Sequence, residues 1–342
     1  MDSRGPLSKP FRSAKLESNA IPLYNRSASN PKKRCPFRPV TTLAFFRFRC
    51  HFRALEAVHF PPGKAGNAVR GAFGSALHET ASPAVYARLF APGSALGKSP
   101  AGLADWPRPF VLRAAALAGV TFSAGARFHF DVHVFDTRAP VLPYFRRAFA
   151  QLAEQGIGSG RGRVRLEFIE QVDLADRVQP VNEEPRPPAV IPLDPEPAPV
   201  ERVYLRFVTP TELKSAGVVA AQPEFPVLFG RLRDRIGALS ALYGAGPLGI
   251  DFRGMGERAA AVRLCRTELA WETAERRSSR TGQVHPLGGF TGEAEYQGPL
   301  TEFLPWLRAA RWCGVGRQTV WGKGDVRVIA PQNDVPAVPA CG

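Results

Sequence analysis

Twice in this chain an amphipathic helix runs into a glycine-rich loop and then into a basic strand, and that repeated order constrains the fold more than any other feature. Residues 141–168 read VLPYFRRAFAQLAEQGIGSGRGRVRLEF, and residues 300–328 read LTEFLPWLRAARWCGVGRQTVWGKGDVRV. In the second copy Leu300, Phe303, Leu304, Leu307 and Ala310 recur at helical spacing, and Gly314, Gly316, Gly322 and Gly324 follow. A nucleotide-binding glycine loop has the opposite polarity, because it follows a strand and opens a helix whose N-terminus meets phosphate. The order here disfavours that fingerprint and points to a duplicated domain.

Each copy fits a β-α-β-β-α-β frame, the ferredoxin-like arrangement, so the fold class is α+β with tandem ferredoxin-like domains joined to glycine-rich loops. In the first copy the periodicity predicts strands over 43–53, 110–113, 126–136 and 163–169, with helices over 64–79 and 140–155. In the second it predicts strands over 202–208, 261–271, 289–296 and 326–329, with helices over 225–243 and 300–312. The domains expected are 41–175 and 201–330. Residues 176–200, dense in proline and acid, read as a semi-extended linker, and 1–40 and 331–342 read as tails.

With 342 residues and 44% hydrophobic content the chain has material for two ordinary cores. No run approaches the roughly 18 apolar residues of a bilayer span, so membrane insertion is not expected and a cytoplasmic protein is. Five scattered cysteines, with no C-x-x-C pair and no histidine at ligand spacing, point to a reducing compartment without structural zinc. The formal charge is +15; residues 41–170 carry sixteen Lys/Arg against eight Asp/Glu, and residues 201–342 carry eighteen against fourteen. Both halves stay basic without the tail, which points to a polyanionic partner, although a GC-rich genome also enriches arginine.

After the first predicted strand comes PPGKAGNAVRGAFGSAL (61–77), which opens a helix through Ala68, Val69, Ala72, Phe73 and Ala76. Gly66, Gly71 and Gly74 each weaken such a helix by about 1 kcal/mol relative to alanine, so close packing is expected at them. That string, YARLFAP (86–92), PRPFVLR (107–113), PLGGFTGEAEYQGPL (286–300) and the second glycine loop together resemble the CRISPR repeat-processing endoribonucleases of the RAMP superfamily. The resemblance covers residues 43–329. It implies RRM-like RAMP domains, a partner in CRISPR repeat RNA, possible further effector subunits, and no cofactor. A monomer or homodimer is expected. One departure is that SPAVYARLF lacks the cysteines some relatives carry there. Another is that the matching strings contain no fixed histidine.

Relatives use a histidine on or near the first helix, sometimes with tyrosine or lysine. His78 at the end of that helix and His59 just before it are the nearest, with Lys64 and Arg70 close in sequence. Cleavage by an RNA's own 2′-hydroxyl needs a base for that proton, an acid for the departing 5′-oxygen and cations for the phosphate, and imidazole near its pKa of about 6.5 serves either proton role. His78, His59 and Lys64 are therefore the catalytic candidates, although a histidine at a helix end is also an ordinary dipole-facing residue.

For RNA binding, ERRSSRTGQVHPLGGF (275–290) suggests a hairpin presenting Arg276, Arg277, Ser279 and Arg280, with an ordinary solvated turn as the bland alternative. Arg70, Gly314, Gly316, Arg317, Gly322, Lys323 and Gly324 complete the candidates, with glycine amides offered to phosphate. Trp312 and Trp321 suit packing or base stacking equally. His129, Asp131 and His133 alternate onto one strand face, but the histidines lie about 13 Å apart, too far to share a metal ion. An exposed or RNA-facing sheet surface is expected there. GSALGKS (93–99) imitates a phosphate loop but is one residue short between its glycines.

The resemblance thus implies a metal-independent endoribonuclease that cuts CRISPR precursor RNA within repeats to leave a 2′,3′-cyclic phosphate. A non-catalytic RAMP subunit that coats guide RNA shares these features, and a metabolic α+β enzyme with incidental basic charge is the reading from another class.

Overall fold

The structure, a computed structural model, describes residues 41–93, 106–273, 275–277, 284–286 and 288–330. In the first half the order is β1 (Thr42–Ala54), α1 (Ala65–Thr80), α2 (Pro83–Phe90), β2 (Phe110–Arg113), β3 (Arg127–Val134), α3 (Leu142–Ala150) and β4 (Val164–Val172). The second half follows with β5 (Arg202–Thr211), α4 (Phe225–Tyr243), α5 (Phe252–Ala259), β6 (Arg263–Glu272), β7 (Gly289–Gln297), α6 (Leu304–Cys313) and β8 (Val326–Ile329). Hydrogen bonding orders the sheets β2-β3-β1-β4 and β6-β7-β5-β8, every neighbour antiparallel. Each half is therefore the expected ferredoxin-like unit.

Alternation along β1 explains how one strand serves two cores. Phe48, Cys50, Phe52 and Ala54 point to one face and pack with Phe73, Phe130, Phe145 and Phe149 under α1 and α3. On the other face Leu43 and Phe45 join the core of the second half, where Phe45 meets Trp312 at a ring distance of 5.4 Å. The expected linker is not a free spacer. Its residues Ala189–Pro192 pair antiparallel with Thr42–Phe45, and Ile191 and Leu193 are buried. Proline and acid composition suggested an extended segment, and the exposed edge of β1 gives that segment a hydrogen-bonding partner.

The junction of the halves is made at helix ends. The carbonyls of Arg311, Trp312 and Cys313 close α6 and have no intrahelical partner. From the first half Arg113 Nη2 donates to the Arg311 carbonyl at 2.6 Å and His133 Nδ1 lies 2.8 Å from the Trp312 carbonyl, while Arg235 on α4 of the second half donates through Nε to the Cys313 carbonyl at 2.8 Å. Cations at a helix C-terminus also answer its negative dipole end. At the end of α4, Arg138 Nε donates to the Gly244 carbonyl at 2.5 Å, and the Tyr243 hydroxyl donates to the Pro107 carbonyl at 2.9 Å.

These contacts correct the expectation for the strand 126–136. His129 is exposed as expected, but His133 is 3% exposed and Asp131 is buried in ion pairs with Arg47 and Arg49. The residues do share a face; the second half covers one end of it. Burial, reinforced by Arg113, pushes the His133 imidazole down to about 3, so it stays neutral. Among the described residues no helix is long and apolar enough to cross a membrane.

Candidate functional site

The first helix and the second glycine loop, distant in sequence, meet. Gly66 packs against the backbone of Trp321, where a β-carbon would stand 2.9 Å from the carbonyl carbon and overlap its oxygen. Gly322 packs similarly against β2, a β-carbon there falling 2.9 Å from the Leu112 carbonyl oxygen. Arg70, one turn along α1 from Gly66, is 9% exposed, its guanidinium 4.5 Å from the Phe90 ring and 5.1 Å from the Trp321 ring. Sequence grouped Arg70 with surface phosphate contacts; the structure places it inside the joint as a cation between aromatic faces. Trp321 thereby resolves as a packing residue, and so does the buried Trp312.

The glycines of the loop need correction too. Gly314, Gly316, Gly322 and Gly324 all have positive φ, between 70° and 79°. Close approach accompanies that conformation: the position of a β-carbon on Gly324 is occupied by the Val315 backbone, and on Gly316 by the Glu212 carbonyl. Three of the amides expected to meet phosphate already donate within the protein, Gly314 to Ala310, Gly322 to Thr319 and Gly324 to Pro210. Glycine is needed there for packing. Arg317 donates through Nη1 to Glu212 at 2.5 Å while remaining partly exposed. Lys323 is 7% exposed with its ammonium pKa lowered by burial, Glu272 opposing that shift.

Lys64 is exposed at the start of α1, the end that touches the loop. His59 stands nearby in the chain, its Nδ1 2.8 Å from Thr121 Oγ1 and its carbonyl accepting from Ser159 N at 2.8 Å. The first glycine loop thus packs on the segment before α1, with Gly158 against the His59 carbonyl. His78 lies fourteen residues beyond Lys64, about 21 Å along the helix axis, so those two cannot act on one phosphate together. At that far end His78 is exposed and meets Tyr86 of α2 edge-to-face, ring centres 5.0 Å apart. Arg147 of α3 reaches the same end, donating to the Thr80 carbonyl at 3.4 Å.

Tyr86 and Arg147 were not singled out from sequence. Tyr86 sits inside YARLFAP, eight residues after His78, but only the turn between α1 and α2 brings the rings together. The hairpin is present as Glu275–Arg277 paired with Val284–Pro286, so Arg276 stands opposite His285; Ser279 and Arg280 lie outside the described residues. Among the described residues no three His, Cys, Asp or Glu side chains gather as a metal-binding group.

Comparison with known proteins follows the same division of the chain. Residues 43–190 match the family model AF_1859_N, an N-terminal domain, and residues 205–326 match the model of the CRISPR-associated endoribonuclease Cas6. A solved Cas6 (TTHB231) product complex is 17% identical, covering 84% of this chain and 100% of that one with a TM-score of 0.51. The same protein is described elsewhere as Thermus thermophilus Cas6. A partial Cas6-RT-Cas1–Cas2 complex is 12% identical, covering 88% of this chain and 48% of that one with a TM-score of 0.52. Comparison with curated proteins finds no match. At these identities the solved structures establish a shared fold.

Proposed function

We propose that this chain, a RAMP-type CRISPR repeat-processing protein with a Cas6 endoribonuclease domain over residues 205–326, cuts precursor RNA within repeats by a metal-independent transesterification. The observation that carries the reading is the seating of Gly66 on the Trp321 backbone, because it joins the first half's helix to the glycine loop of the Cas6-matching half. In this reading both basic halves bind one RNA. Arg276, Arg277 and Arg317 are the phosphate contacts in this reading, with Lys64 at the loop end of α1.

The chemistry is assigned to the other end of α1, at His78 with Tyr86. There the imidazole is exposed, a phenol stands beside it, and Arg147 supplies positive charge. A base removes the 2′-hydroxyl proton, the 2′-oxygen forms its bond to phosphorus, and the bond from phosphorus to the 5′-oxygen breaks. The departing oxygen takes a proton, leaving a 5′-hydroxyl end and a 2′,3′-cyclic phosphate. His78 holds one of these proton roles, and arginine stabilises the crowded phosphate charge. His59 and Lys64 form the alternative proton-transfer pair at the near end, and single substitutions separate the two.

The test is incubation of the purified full chain with repeat RNA in EDTA, with both product ends mapped and a 2′-deoxy substitution placed at the cut site. Discrete cleavage abolished by the deoxy sugar is expected. Tight binding without cleavage would instead fit a non-catalytic subunit that holds guide RNA.

A further inference from the structure

The open face of the first sheet carries two rows of side chains that the site above does not use. One row crosses three adjacent strands as His129, His51 and Phe168, since His51 is in register with His129 on β3 and with Phe168 on β4. The His51 ring stacks on Phe168 at 4.3 Å with planes 20° apart and lies 5.3 Å from the His129 ring. Phe168 is 47% exposed, and His129 is exposed as well. A phenylalanine on an open sheet face leaves apolar surface in water, a cost that a stacking partner would remove.

The neighbouring row on the same face is Arg127, Arg53 and Arg165, again in cross-strand register. Like charges placed opposite one another destabilise a sheet, and here three guanidinium groups align. Glu167 answers two of them, accepting from Arg53 Nε and Arg127 Nε at 2.7 Å each. On the other side of the rings lie Arg49, paired with Asp131, and Glu170, 2.7 Å from His51 Nε2. Each arginine has five N–H donors, so donors remain after these pairings.

We propose that this face binds single-stranded RNA, with bases stacked on Phe168, His51 and His129 and phosphates along Arg127, Arg53 and Arg165. The spacing suits it, because adjacent strands are about 4.8 Å apart and the charged row is the next side-chain row on the same face. Stacking on rings and pairing with arginine is how sequence-tolerant single-strand sites work. The inference extends the proposed function from the repeat that is cut to an unpaired segment of RNA. It rests on that reading only in taking the partner to be RNA.

The test uses the full chain and two probes, an unstructured pyrimidine 12-mer RNA and a repeat hairpin without single-stranded flanks carrying a 2′-deoxy cut site. Phe168→Ala should weaken 12-mer binding about tenfold, within the range measured for loss of one stacking ring, and Phe168→Tyr should keep it. Arg165→Ala should weaken it and lower the salt dependence by about one counterion. Hairpin binding should be unchanged in all three. Wild-type 12-mer affinity in both Phe168→Ala and Arg165→Ala would overturn the proposal and leave the face to another partner. Failure of the wild-type protein to bind the hairpin would count against the proposed repeat processing and not against this face.

Discussion

Gly66 on α1 rests on the backbone of Trp321, so that the start of the first domain's helix and the glycine loop of the second are one packed unit. The relationship explains a glycine that helix propensity alone would reject. It also sets apart three glycines that look alike in sequence, because Gly74 packs on the Phe90 ring whereas a β-carbon at Gly71 meets nothing within 4 Å.

Gly66→Ala and Gly71→Ala should therefore move stability in opposite directions. Alanine is favoured over glycine in a helix by about 1 kcal/mol, and Gly71→Ala should realise most of that gain. At Gly66 the added methyl must push the Trp321 backbone aside, and overpacking of this kind costs about 1–3 kcal/mol. Urea unfolding of the two variants beside the parent measures both, and a stabilised Gly66→Ala would contradict the packing described.

His78→Ala should slow cleavage about 10²- to 10⁴-fold, the span for loss of a positioned acid or base, with little change in RNA affinity. Lys64→Ala should weaken binding more than it slows the bound step, because Lys64 stands about 21 Å away along the helix. Single-turnover rates at saturating protein, measured with binding constants, separate the two effects. The reverse pattern would move the chemistry to the end of α1 near His59.

His133 makes stability depend on pH in a predictable direction. Its folded pKa, lowered by burial to about 3, lies below the unfolded value of about 6.5, so the unfolded chain binds the extra proton between them. The contribution is complete above about pH 6.5 and is lost as pH falls toward 3, by at most about 1.4 kcal/mol per pH unit. His133→Asn, which can still donate to the Trp312 carbonyl, should flatten the unfolding free energy between about pH 6.5 and 5, above the range where carboxylates titrate. Urea titrations at several pH values in that interval provide the check, and an unchanged slope would argue against the buried neutral ring.

Lys323→Met should leave stability unchanged or raise it by about 1 kcal/mol, because it removes a buried ammonium whose charged form burial disfavours. The sequence placed Lys323 among the RNA-binding candidates, and in that role its loss should also lower RNA affinity. Thermal unfolding and hairpin binding of the same variant give both answers.

Much of this architecture was legible because it rests on local periodicity. The alternation of β1, the helix 225–243 and the strand 326–329 were readable from residue order, and so was the duplicated helix, loop and strand that set the α+β class. Other features depend on partners far away in the chain. Alternation placed His129, Asp131 and His133 on one face, but only the arrival of Trp312 buries His133 while leaving His129 in water. Arg70 reads as a surface cation until Phe90 and Trp321 close around it.

The sequence by itself determined the two ferredoxin-like units, their basic character and the resemblance to repeat-processing enzymes, because strand and helix periods, charge and glycine spacing are properties of neighbouring residues. Tertiary structure alone decided what each glycine is for, which arginines are interior, and that the Tyr86 ring meets His78. Those outcomes depend on long-range packing, in which a carbonyl of residue 321 selects the side chain at residue 66. No local rule carries that information.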